Sequence, residues 1–193
     1  MLKKILLMVL GIIVLAGSSF AVGLNGAGAT FPYPIYSKWM SEYKDATGTE
    51  VNYSPIGSGG GIRQFSAGVV DFGGTDASMT DAEISSAGGD VLHIPTVMGA
   101  VAVIYNLEGV SGLKLDSSTL ASIFLGEIKN WNDDKIKALN PGKNLPEKNI
   151  LVAHRSDSSG TTDIFTNYLA KVNTKWAAKV GAGKSVSWPV GVG

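Results

Sequence analysis

The sequence contains no cysteine. That excludes a disulfide framework, a thiolate nucleophile and a Cys-based metal site. Histidine is scarce, with 2 in 193 residues. His93 lies in an apolar run and reads as a core histidine. His154 has no Asp, Glu or His partner at metal-ligand spacing and reads as structural or supporting. Net charge is absent as well, with 16 basic against 16 acidic residues. A broadly basic surface for nucleic acid is therefore not expected, and any anion must be held locally.

Several catalytic signatures are missing. A GxGxxG fingerprint starting at Gly26 would need glycine where Phe31 stands. Gly183-Lys184-Ser185 looks like the end of a phosphate-binding P-loop, but position 178 is Ala178 and the residues before the triplet read as helix. No GxSxG elbow precedes a helix, so a hydrolase serine is unsupported. There is no internal repeat and no low-complexity segment.

What is present is a globular chain of one or two domains, 45% hydrophobic and 17% charged, with 25 glycines for tight loops. Lys3 and Lys4 precede the uncharged run Ile5 to Ala16, and Ser19-Phe20-Ala21 supplies small residues for cleavage. Residues 1–21 are read as a secretory signal peptide. Its apolar run is short for a membrane span. Without it, 14 basic and 16 acidic residues leave a net charge of −2. The expected product is an exported, periplasmic protein, soluble and monomeric.

Past this leader, strand and helix signals alternate. Gly26 to Pro32 opens the domain, with glycines that allow close approach to a ligand. A helix follows, starting at Pro32 or Pro34, carrying an apolar face of Ile35, Trp39, Met40 and Tyr43, and ending at Gly48. Glu50 to Ser54 reads as a strand. Gly57 to Gly61 turns into a short helix with Ile62 and Phe65, and Ser58 is either its capping serine or a ligand-facing hydroxyl. Val69 to Gly73 is the next strand and delivers Asp76 to its C-terminal end, the edge where open α/β sheets bind ligands. Thr80 and Glu83 match a capping box. Leu92 to Val97 and Ala100 to Tyr105 read as buried strands, with a crossover at Thr96 to Gly99. Helices are expected at Ser117 to Leu125, stopped by Gly126, and at Asp133 to Leu139, with another continuing or restarting at Trp176 to Val180. The alternation implies an α/β fold with a largely parallel sheet.

The most telling stretch is Arg155-Ser156-Asp157-Ser158-Ser159-Gly160-Thr161-Thr162. Ile150 to Ala153 before it reads as a buried strand. Ile164, Phe165, Tyr168, Leu169 and Val172 after it have helical spacing. A strand-to-helix turn of this composition combines unpaired backbone N–H groups, hydroxyl donors and one guanidinium. It suits an oxyanion, although an ordinary Ser/Thr cap beside a surface arginine has the same composition.

The motifs Gly-Ala-Gly-Ala-Thr-Phe-Pro at 26–32, Gly-Ser-Gly-Gly-Gly at 57–61, Val-Asp-Phe-Gly-Gly-Thr-Asp at 70–76 and Arg-Ser-Asp-Ser-Ser-Gly-Thr at 155–161 together resemble the PstS-type periplasmic phosphate-binding proteins. Phe124 to Trp131 and Asn140-Pro141-Gly142 fit the same family. The resemblance covers nearly everything after the leader. It implies a periplasmic binding protein type II-like fold, two lobes with a ligand cleft between them. Lobe I would take 22–97, and an incomplete lobe II 98–193. Family members run well past the end of this sequence, so the C-terminal part of the fold is expected to be missing. By motif, Thr30, the Phe31 backbone, Ser58 and Asp76 would bind phosphate from one lobe. Arg155, Ser159, the Gly160 backbone and Thr161 would bind it from the other, with Asp157 holding the Arg155 fork.

The resemblance further implies a receptor that delivers phosphate to the permease subunits of a membrane ABC importer, with no catalytic residue, metal or cofactor. The alternatives are a receptor for another tetrahedral oxyanion, a secreted phosphohydrolase, and a surface scaffold sharing the fold. Asp76 argues for a protonated anion: phosphate can donate a proton to a carboxylate, and fully ionised sulfate cannot.

Overall fold

The computed structural model describes residues 23–193; the signal peptide expected at 1–21 lies outside them. Three parallel strands form the sheet: β1 Leu24–Gly28, β2 Val51–Pro55 and β3 Phe72–Gly74, in the spatial order β2-β1-β3. The register sets Gly26 of the central strand beside Tyr53 and Phe72. Parallel neighbours need crossover connections. Helix α1, Tyr33–Thr47, supplies the first and helix α2, Ser58–Ser66, lies in the second.

Strand β1 is not announced by its sequence, which has no β-branched residue. Its glycines, expected to allow close approach to a ligand, allow close approach within the sheet. The Phe72 ring covers Gly26, where an added Cβ would come within 2.2 Å of it, and Gly28, at φ 148°, abuts the Gly74 carbonyl. Close packing inside the sheet explains both. Helix α2 presses on the same strand. A Cβ on Gly61 would lie 2.4 Å from Gly28 Cα and 2.5 Å from the Ala27 carbonyl oxygen. The glycine run thus lets helix and strand meet backbone to backbone.

Helix α1 has Pro32 as its N-cap and Pro34 in its first turn, and it stops at Gly48 as expected; Gly48 adopts the left-handed conformation and donates to the Lys44 carbonyl at 2.8 Å. Its apolar face is not buried. Trp39 and Tyr43 stay 44% and 50% exposed. The helix is held to the sheet by aromatic contacts instead, with Tyr33 and Tyr36 packing on Tyr53, and Tyr53 on Phe72. Helix α3, Asp81–Ser86, begins with the expected capping box: Thr80 Oγ1 accepts from the Glu83 N–H, and Glu83 accepts from the Thr80 N–H at 2.8 Å.

The larger cores lie beyond residue 106. Helix α4, Ser117–Phe124, is capped by Asp116, and helix α5, Asp134–Leu139, by Asp133. Ile123, Ile136, Leu107, Ile128, Leu145 and Val152 form one cluster. Helix α6, Gly160–Val172, and helix α7, Thr174–Lys179, build a second around Leu169 and Trp176, with α4 contributing Ala121. The break between α6 and α7 settles the restart of the helix before Trp176.

Three strand expectations fail. Residues 92–97 and 100–105 form no regular element, and Leu92, Ile94 and Ile104 are 82%, 70% and 90% exposed. Ile150 to Ala153 makes only an isolated bridge, Ala153 to Val192, and Leu151 is 75% exposed. Apolar, β-branched composition suits a strand but does not create one; a strand needs a hydrogen-bonding neighbour. His93 is accordingly exposed, not a core histidine, and its Nε2 accepts from the Met79 N–H at 3.2 Å.

Truncating Leu169 should separate core from surface. Leu169→Ala is expected to cost ~2–5 kcal/mol in urea unfolding, and Leu151→Ala less than about 0.5 kcal/mol. Equal losses at both positions would contradict this assignment of the core.

Candidate functional site

The expected site residues converge on the seam between the N-terminal sheet unit and the start of α6. From the first side come Thr30, just beyond β1, Ser58 at the first turn of α2, and Asp76, two residues beyond β3. These are the C-terminal ends of parallel strands and the turns that leave them. From the other side comes the turn 155–161, which runs into the α6 N-terminus.

Ser58 is 1% exposed, and the structure sets aside one of its two readings, the helix cap. The cap of α2 is Gly57, at φ 82°. Ser58 instead accepts the backbone N–H of Asp76 at 3.2 Å through its hydroxyl oxygen. The hydroxyl therefore ties α2 to the end of β3. Gly160 comes against this pair from across the seam. A Cβ there would sit 2.4 Å from Ser58 Oγ and 2.8 Å from Asp76 Oδ2. Thr161 donates through Oγ1 to Asp76 Oδ2 at 3.3 Å. The Gly59 N–H donates to the Ser158 carbonyl at 3.0 Å.

Arg155 is aimed by Asp157, as expected. Its Nε donates to Oδ1 at 2.7 Å and its Nη2 to Oδ2 at 2.5 Å. The pair is 40% and 39% exposed, so its value for stability is small. Its use is to fix a planar fork. Nη1, the edge turned away from Asp157, donates to Thr30 Oγ1 at 3.3 Å. The hydrogen bond with Asp157 raises the affinity of Arg155 for its proton and holds the Asp157 carboxyl below its usual range.

Two expected residues have contacts of their own outside the Arg155–Asp76 group. Ser159 is 1% exposed and caps α6: its Oγ accepts the Thr162 N–H at 3.3 Å, and its own N–H donates to the Lys184 carbonyl at 2.9 Å. Phe31 follows Thr30, but its ring leans on Gly99 and is 47% exposed. The seam also uses groups that the sequence did not point to, namely the Gly59 N–H and the Ser158 carbonyl. Backbone atoms carry no sequence signal.

Asp76 places a second carboxylate in the seam, near enough to feel the Arg155 charge but not bonded to it as Asp157 is. Burial pushes its pKa up; the Thr161 hydrogen bond and the Arg155 charge oppose that without cancelling it. Among the described residues there is no group of three or more His, Cys, Asp or Glu able to hold a metal. The arrangement is thus rich in donors, with the Arg155 guanidinium held by Asp157 and the Asp76 carboxylate nearby.

Parallel strands ending at one seam, crossed by a helix N-terminus from a second unit, define the binding-protein class of α/β fold. The PBP superfamily domain model matches residues 16–189, and the chain belongs to that superfamily. It is 49% identical over 195 residues to the phosphate-binding protein PstS of Pasteurella multocida (strain Pm70), covering 100% of this chain and 56% of that protein. The phosphate-binding protein PstS of Haemophilus influenzae is 50% identical over 175 residues, with 90% and 52% covered. The chain thus spans about half the length of the curated relatives it matches. An ABC-type phosphate transport receptor from Vibrio cholerae has the same fold, with a TM-score of 0.53 at 18% identity, covering 89% of this chain and 62% of that one.

The raised pKa of Asp76 has a defined sign. Its ionised form is disfavoured in the fold, so the cost appears as pH rises through the ordinary Asp value towards the folded one. Asp76→Asn is expected to melt with the wild type in acid, where the carboxyl is protonated in both states, and above it at pH near 7.5. An unchanged or lower melting temperature at the higher pH would overturn this.

Proposed function

We propose that the chain belongs to an extracytoplasmic receptor that binds inorganic phosphate between two lobes and delivers it to the permease subunits of a membrane ABC importer. Residues 22–97 contribute to the first lobe and 98–193 to the second. The observation that carries this reading is the meeting of Asp76 and Thr161 in one seam with Arg155 and Thr30. The relatives' names support it. No membrane-crossing helix is found among the described residues, as suits a protein exported by the leader at 1–21 and working in the periplasm.

Phosphate at neutral pH retains at least one proton. In this reading the Arg155 fork, the Thr30, Ser58 and Thr161 hydroxyls and the Gly160 N–H donate to its oxygens, with the Phe31 N–H and Ser159 beside them. Asp76 accepts the proton that the anion keeps. Charge-assisted hydrogen bonds contribute roughly 1.5–3 kcal/mol each, and several of them offset desolvation of the anion and closure of the lobes. Fully ionised sulfate brings no proton and leaves the Asp76 carboxylate repelled, so the carboxylate selects against it. In this reading the protein is a carrier and not a catalyst, as the names of the phosphate-binding relatives support. No cofactor enters this scheme.

Calorimetric titration with phosphate, with sulfate as competitor, tests it. Arg155→Ala is expected to lose about 2–5 kcal/mol of phosphate affinity, the cost of removing the charge partner of an anion enclosed between the lobes. A loss below about 1 kcal/mol would place Arg155 outside the site. Asp76→Asn is expected to let sulfate compete, and unchanged selectivity would remove Asp76 from the proton-accepting role.

A further inference from the structure

Lys184 lies in the Gly-Lys-Ser triplet that looked like a P-loop ending. Its surroundings give it a different use. The loop that carries it is pinned to α6 through Thr166, which is 0% exposed. Thr166 Oγ1 accepts the Gly183 N–H at 3.1 Å, while donating to the Thr162 carbonyl at 2.8 Å. The Lys184 carbonyl accepts the Ser159 N–H at 2.9 Å, so the residue braces the turn that leads into Gly160 and Thr161. Its side chain then leaves this unit. Nζ donates to both Glu83 oxygens at 3.1 Å, across 101 residues of sequence, and the two side chains are only 12% and 29% exposed. Glu83 is itself fixed by the capping box of α3. Burial pushes its carboxyl pKa up, but hydrogen bonds from Thr80 and Lys184 outweigh that and hold it below the usual range.

Of the other polar contacts across the seam, Arg155 with Thr30 and Thr161 with Asp76 involve groups that would turn to an anion, and the Gly59 N–H to Ser158 carbonyl bond is a single backbone contact. The Lys184–Glu83 pair uses none of the proposed phosphate-binding groups. It can hold the two units together whether or not the site is filled.

We propose that Lys184 and Glu83 form a clasp between the two units, which favours the closed arrangement and slows release of the anion. The proposal rests on the phosphate-receptor reading for its effect on release, but the clasp itself can be read without ligand. Both residues are positioning residues, acting through the seam and not on the anion. A bond present only in the closed form shifts the open–closed balance by its own strength, and the dissociation rate follows that balance.

The absence of native cysteine makes the test clean. Spin labels at Asp45→Cys, an exposed position on α1, and Lys171→Cys, an exposed position on α6, report the separation of the two units by pulsed electron resonance. The parent protein without ligand is expected to give a dominant short distance. Lys184→Met and Glu83→Gln should each move population to longer distances, and the double variant should do no more than either alone. Glu83→Gln keeps an acceptor for the capping box, and Lys184→Arg should restore the short distance. With phosphate, each single variant should weaken binding about threefold to tenfold, the range of a partly sheltered ion pair, through the off-rate with the on-rate little changed. Unchanged distances in both single variants, or additive effects in the double, would overturn the clasp. A parent protein that shows the short distance but gives no phosphate heat would leave the clasp standing and sink the phosphate reading instead.

Discussion

The approach of the Gly160 backbone to Ser58 and Asp76 is the contact on which the rest of the seam depends. It works only without a side chain at 160, and only because Ser58 is already committed to the Asp76 N–H. That commitment in turn requires α2 to lie tightly on β1, which the Gly61–Gly28 contact permits. Strand, helix and turn are thus linked by a chain of close backbone contacts. Each link is a place where a methyl group would push the two units apart. Arg155 and Thr161 reach their partners across the seam because this contact sets the spacing.

The electrostatics of the seam follow from the same closeness. Asp76 sits where burial disfavours its ionised form, and a short way off the Arg155 fork is locked by Asp157. A carboxylate whose charge is disfavoured by burial, near a guanidinium, is a pairing suited to an anion that still carries hydrogen. Neutralising such a ligand takes one arginine, hydroxyls and helix-terminal N–H groups, so the lack of net positive charge in the sequence and the binding of an anion are compatible.

Helix ends were legible in the sequence because their causes are local. The capping box at Thr80 and Glu83, the stop at Gly48 and the helix after Ser159 all appear in the structure. The site motifs were legible too, since each turn carries a distinctive run of Gly, Ser and Thr. Strand formation was not. Leu92 to Tyr105 has the composition of buried strands but lacks a pairing neighbour, whereas Leu24 to Gly28, poor in strand-forming residues, becomes the central strand because two neighbours flank it. Burial of the α1 face failed for the same reason: amphipathic spacing says which face could be covered, not that something covers it. The Lys184–Glu83 pair was hidden because the two residues are brought together only by the fold.

A residue-resolved NMR titration of the chain with phosphate tests most directly whether the two turns form one site. The account predicts that the amides of Ser58 and Gly59 on one side, and Gly160 and Thr161 on the other, shift together with one common midpoint. Shifts confined to one turn, or two turns with separate midpoints, would contradict it.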